Sequence, residues 1–164
     1  VNLPASLKLT HPQALHVNAN DVPMDAPGDG VQVRVLVGRS GAAQGRVDAL
    51  PPVTMLDVRL APNKELRHQP RTGETVLAIG WDGAGMVSDG AAFGRARAVA
   101  FERSEGEVNF RAGASGLRFL LLAGQPIGEP VVFRGPFAMA SEEQVKDAVR
   151  RFQAGEMGTL KASF

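Results

Sequence analysis

The chain has no cysteine and no tyrosine, a single tryptophan and only three histidines among 164 residues. Without cysteine there is no disulfide, no thiolate nucleophile and no thiolate metal ligand. With Trp81 as the only large amphipathic ring, little is available for stacking on nucleic-acid bases. Charge of one sign is lacking too. Lys and Arg number 18 against 17 Asp and Glu, so no basic field draws in a phosphate backbone. No apolar run approaches the ~20 residues needed to span a bilayer. Direct nucleic-acid binding and membrane insertion are therefore not expected, and the expected compartment is the cytoplasm. The chain begins at Val1 without a Met, and "VNLP" reads as the end of a strand, so the expectation is a piece of a longer protein.

What is present is turn chemistry and alternation. Nineteen Gly and eleven Pro punctuate short apolar runs. Residues 1–28, broken by Pro4, Pro12, Pro23 and Pro27, read as an arm rather than as core. "VQVRVLV" then puts Val31, Val33, Val35 and Val37 on one face of a strand, and "VTMLDVRL" does the same for Leu56, Val58 and Leu60. "ETVLAIG" and "GMVSD" flank Trp81-Asp82-Gly83-Ala84, where Asp-Gly predicts a hairpin. "RARAVAFER", "EVNFRA", "GLRFLLLAG" and "PVVFRG" follow as further short strands. Close spacing of this kind predicts a sandwich or barrel rather than parallel βαβ units.

One helix is expected, over 141–154. Ser141 is a good N-cap, and Gln144 three residues on makes a capping box. Glu142 and Glu143 occupy the first turn, Arg150 and Arg151 fall near the end, and Gly155 can take the left-handed position. Val145, Ala148, Val149 and Phe152 form one apolar stripe. The stripe needs an apolar support, most simply the outer face of the β domain, with Phe152 as a core contact.

"RFLLLAGQPIGEPVVFRGPFAMASEEQVKDAVRRFQAGEMG", residues 118–158, closely resembles the C-terminal segment of the pirin family. Gly128-Glu129-Pro130, then Gly135-Pro136-Phe137 and Met139, stand in the family's order and spacing. "LDVRLAP" at 56–62 resembles a strand of the same domain, and "VNLPA" resembles the stretch between the family's two halves. Ala140 departs from the pattern, which usually has Asn there. The resemblance implies an all-β fold, a cupin double-stranded β-helix or jelly-roll barrel with one C-terminal helix. It implies an interdomain arm at 1–28 and a C-terminal cupin domain at 29–164.

A cupin metal centre needs three imidazoles and a carboxylate converging inside the barrel, a donor set suited to divalent iron, manganese, copper or nickel. In pirins the resemblance places that set in the N-terminal cupin. Here His11 and His16 lie on the arm, and His68 stands alone in "RHQPRTGETV" with Pro70 where a second His would be. Glu65 and Glu74 are the candidate carboxylates, neither at the motif's spacing. Other chemistry is equally thin. "GWDGAG", 80–85, could cradle a phosphate, but no Lys or helix follows, and a hairpin turn explains it. Asp57 and Glu74 could act as acid or base, yet each has an arginine in reach, Arg59 or Arg71, and Asp57–Arg59 pairing or solvation is the default. Arg95, Arg97 and Arg103 could bind an anion or line a solvated strand face.

No catalytic, cofactor-binding or metal-binding residue is therefore assigned in this chain. By resemblance, iron and a quercetin 2,3-dioxygenase-type activity would belong to an N-terminal half, which would also be this domain's partner. The expected role here is structural and interactive. The alternative is a regulatory module that binds other proteins, as a transcription co-regulator does. An exposed docking face on the isolated half would also favour self-association.

Overall fold

The computed structural model describes residues 2–12, 14–101 and 106–159. It divides into two compact units, Val17–Pro126 and the described parts of Val1–His16 with Ile127–Phe164. The expected arm, 1–28, is thus shared between them, and its end is a strand. No described helix is long and apolar enough to cross a membrane.

The larger unit holds an eight-stranded antiparallel sheet and a separate, short two-stranded one. Its strands are β1 (Met24–Gly28), β2 (Val31–Val37), the short pair β3 (Arg39–Ser40) and β4 (Ala43–Gln44), β5 (Val53–Leu60), β6 (Glu65–His68), β7 (Thr75–Val87), β8 (Ala92–Gly94), β9 (Ala98–Phe101) and β10 (Val108–Gly124). The main order is β1-β2-β5-β10-β7-β8, with β6 added to β10 and β9 to β7. Alternation decides the faces: Val31, Val33, Val35, Leu56, Val58 and Leu60 are all buried. Val37 departs from the expected face. Val35 pairs with Leu56 and Val37 with Met55, so Leu36 is an extra residue that reverses the alternation.

The expected hairpin at Trp81–Ala84 is absent, because β7 runs straight through it. Gly83 has φ +74°, and a Cβ there would lie 2.2 Å from the Gly116 carbonyl oxygen. Asp-Gly marks a bulge between two long strands instead of a turn: Leu117 pairs with Gly83, while Ala112 pairs with Gly85. Residues 113–116 drop out of that ladder, and "EVNFRA" and "GLRFLLLAG" become one strand, β10. The strand bends hard there. Phe110 and Phe119 would be roughly 30 Å apart on an extended strand, yet their rings stack at 4.4 Å. The sheet is folded over on itself, and the core lies inside the fold.

"RARAVAFER" is only partly strand. Arg95-Ala96-Arg97 forms a turn stitched to β7, with Gly80 N–H donating to the Arg97 carbonyl at 2.8 Å and Arg95 N–H to the Gly83 carbonyl at 3.1 Å. Arg97 Nη1 reaches back to the Ala92 carbonyl at 3.2 Å, while Arg103 lies outside the described residues.

The second unit holds the hairpin β11 (Val132–Arg134) and β12 (Phe137–Met139) and the helix α1 (Glu142–Gln153). Gly135, at φ +56°, and Pro136 make the two-residue turn. Strand alternation sets Phe137 and Met139 on one face and Phe133 on the other. Ser141 caps α1, its Oγ accepting from Gln144 N–H at 3.2 Å, and Gln144 Oε1 accepts from Ala140 N–H at 2.9 Å. The box thus closes one residue earlier than its usual form. Gly155 at φ +72° ends the helix, with Glu156 N–H on the Arg151 carbonyl and Gly155 N–H on that of Phe152, a Schellman motif.

Val145 and Ala148 are buried, and the helix packs on β11–β12 of its own unit. Phe152 is not a core residue. It is 62% exposed and meets Phe137 in a T-shaped pair, at 6.0 Å between centroids. The Gly-Glu-Pro motif anchors the start of the chain. Glu129 Oε2 accepts from Ala5 N–H at 2.6 Å, tying residues 2–8 to this unit. Lys8 Nζ adds a bond to the Ala138 carbonyl at 2.6 Å.

Candidate functional site

A barrel of this kind would hold ligands in the interior of its folded sheet. That interior is filled. Phe110 stacks on Phe119, and Phe93 meets Phe110 at 5.8 Å and Phe119 at 5.7 Å. Phe101 and Phe110 form a T-shaped pair at 6.1 Å. Phe110 and Phe119 are wholly buried, and Val58, Val76, Leu56 and Leu121 close around the rings. Strands distant in sequence supply these side chains, so their convergence could not be read from spacing.

The expected donors do not assemble around that interior. His11 and His16 are exposed and belong to the smaller unit. Glu65 pairs with Arg67 at 3.1 Å and Arg111 at 3.2 Å, and the Arg67 hydrogen bond is the main reason its carboxyl is more acidic than usual. Glu74 is buried, but its Oε2 is taken by Arg71 N–H at 2.9 Å, a turn closure rather than a pairing with the Arg71 guanidinium. His68 is half-buried, and its Nε2 is enclosed with no hydrogen-bond partner. Burial lowers the His68 pKa from its usual value, and the nearby charge of Glu74 opposes this more weakly. An orphaned imidazole nitrogen could take a metal, but one imidazole and one committed carboxylate are two donors. Among the described residues no three His, Asp or Glu come together. The described residues do not fit a cupin metal centre.

The charged residues gather elsewhere, on the outer face of β2, β5, β10 and β7. Asp57 does not pair with Arg59. It accepts two hydrogen bonds from Arg118, at 3.0 Å and 2.8 Å, across the β5–β10 ladder, and Arg34 stands 3.9 Å away. Arg118 stands opposite Arg59 in that ladder, and its long side chain reaches Asp57 on the diagonal. A row Gln32–Arg59–Arg118–Asp82 runs across the four strands in register. The row borders a groove of about 400 Å³ whose rim includes Gly30, Gly83 and Gly116. The stretch 80–85 is therefore no phosphate loop; its glycines let strands approach, since a Cβ on Gly80 would lie 1.8 Å from the Gly94 carbonyl oxygen.

An antiparallel sheet folded over a phenylalanine core, followed by one C-terminal helix, is an all-β domain of the cupin kind. Residues 55–158 match the Pirin C-terminal cupin domain, and the chain belongs to the pirin family. It is 33% identical over 161 residues to a pirin-like protein of Solanum lycopersicum, covering 96% of this chain and 55% of that one. It is 32% identical over 162 residues to Pirin-1 of Arabidopsis thaliana, covering 96% and 56%. A crystal structure of a quercetin 2,3-dioxygenase from Acinetobacter baumannii is similar with a TM-score of 0.86 at 29% identity, over 97% of this chain and 55% of that one. The chain spans little more than half the length of the curated relatives it matches.

Proposed function

We propose that this chain is the metal-free C-terminal half of a two-cupin pirin, with a structural and interactive role. Iron, and any quercetin 2,3-dioxygenase-type reaction, belong in this reading to an N-terminal cupin, which is also this domain's partner. The observation that carries the reading is the packed interior: Phe93, Phe110 and Phe119 occupy the volume that substrate and ligands would need. The test is metal content and quercetin turnover of this chain beside the full-length parent, both after loading with ferrous iron. The chain alone should hold far less than one iron, unchanged by His68→Ala, and should turn over nothing. One equivalent of iron lost in that variant would overturn the reading.

A second reading, a regulatory protein-binding module, is favoured by one feature of the smaller unit. Phe133 is 75% exposed and Phe152 62%, with Val131 and Met157 also at the surface. Exposed apolar side chains of this size on a small unit suit contact with another protein or a second copy. Sedimentation should detect association that weakens in Phe133→Ser. A strict monomer at high concentration that binds no apolar dye would count against it.

A further inference from the structure

We propose that the groove on the outer face of the larger unit is a binding site for a small hydroxylated carboxylate, with Arg59 gripping the carboxylate and Asp82, Gln32 and Ser115 receiving the hydroxyls. The site is independent of the barrel interior and of the role proposed for the domain as a whole.

Its chemistry follows from an imbalance. Arg59 and Arg118 stand directly opposite on neighbouring strands, an arrangement that repels unless an anion lies nearby. Asp57 satisfies Arg118 with two hydrogen bonds and has Arg34 at 3.9 Å, so its charge is already shared between two guanidiniums. Arg59 is exposed and makes no hydrogen bond or ion pair with the described residues. Its flat fork matches a carboxylate.

Asp82, opposite Arg118, lies outside ion-pair distance of it and keeps its oxygens free to accept hydroxyl protons. The Gln32 amide can both donate and accept, and the Ser115 hydroxyl makes only a long 3.5 Å contact to the Gly116 carbonyl. Arg34, Arg59 and Arg118 against Asp57 and Asp82 leave one excess positive charge. That suits a monoanion, and Asp82 would repel a phosphate dianion. The groove, at about 400 Å³, is at the low end for small-molecule sites.

The experiment is titration of the ¹⁵N-labelled chain with D-gluconate, sorbitol, acetate and inorganic phosphate. Gluconate should move the amide resonances of Gln32, Gly83 and Gly116, acetate more weakly, and sorbitol not at all. Arg59→Gln, a surface change that leaves the fold intact, should weaken gluconate at least tenfold. Asp82→Asn should bring gluconate close to acetate and leave acetate no weaker. No shift at ~10 mM gluconate, or an unchanged affinity in Arg59→Gln, would overturn the site. Phosphate binding as tightly as gluconate would overturn the assignment to a hydroxylated carboxylate.

Discussion

Replacing Phe110 by Ala tests whether the barrel is truly filled. Phe110 is fully buried and meets the other three rings of the interior cluster, at 4.4, 5.8 and 6.1 Å. Truncating a core Phe to Ala costs ~3–5 kcal/mol through lost transfer energy and the cavity left behind. Aromatic pairs add ~0.5–1.5 kcal/mol each beyond burial, and three are lost here, so the upper end is expected, about 5 kcal/mol. With a urea slope of about 2 kcal/mol/M, the midpoint should fall by ~2.5 M. Circular dichroism gives the sheet signal, and fluorescence of Trp81, the only tryptophan, reports on the same unit. Phe152→Ala is the control. Being 62% exposed, it should cost about 1 kcal/mol or less. A Phe110→Ala penalty no larger than that control's would mean a loosely packed interior. The case against ligand binding there would fall with it.

Gly83→Ala should prevent stable folding, because its Cβ would lie 2.2 Å from a backbone oxygen in a left-handed residue; soluble, cooperative unfolding of the variant would contradict the bulge. Stability should fall as the pH drops below the ordinary imidazole range, partly through His68, whose folded pKa is lowered by burial. The unfolded chain takes up that proton first, so the loss begins near the unfolded pKa and levels off below the folded one. His68→Gln should flatten this part of the curve, and an unchanged pH profile would show that the imidazole is not desolvated. Ser141→Ala should cost ~0.5–2 kcal/mol, read as faster amide exchange in the first turns of α1, and unaltered exchange would remove its capping role.

The sequence by itself determined whatever depends on near neighbours. The caps, charges and closing glycine of α1 lie within one or two turns of the residues they serve, so Ser141, Gln144 and Gly155 could be placed before any fold was known. Alternation in β5, and in β2 as far as Val35, likewise showed which side chains would be buried, and the pirin motifs at 128–139 carried the family. Tertiary structure decided the rest. Asp-Gly at 82–83 has the same local preference in a hairpin turn and in a bulge; only the approach of β10 selects the bulge. Asp57 had a charge of the right sign two residues away, yet its partner is Arg118, 61 residues on, which the β5–β10 register sets diagonally across from it, opposite Arg59. Phe152 continued the apolar stripe of α1, but whether the end of a stripe is covered depends on the length of the partner, and β11–β12 is short. The phenylalanine core needed the fold at 113–116 to bring Phe110 onto Phe119. Alternation assigns a residue to a face, and only the folding of the sheet decides what that face meets.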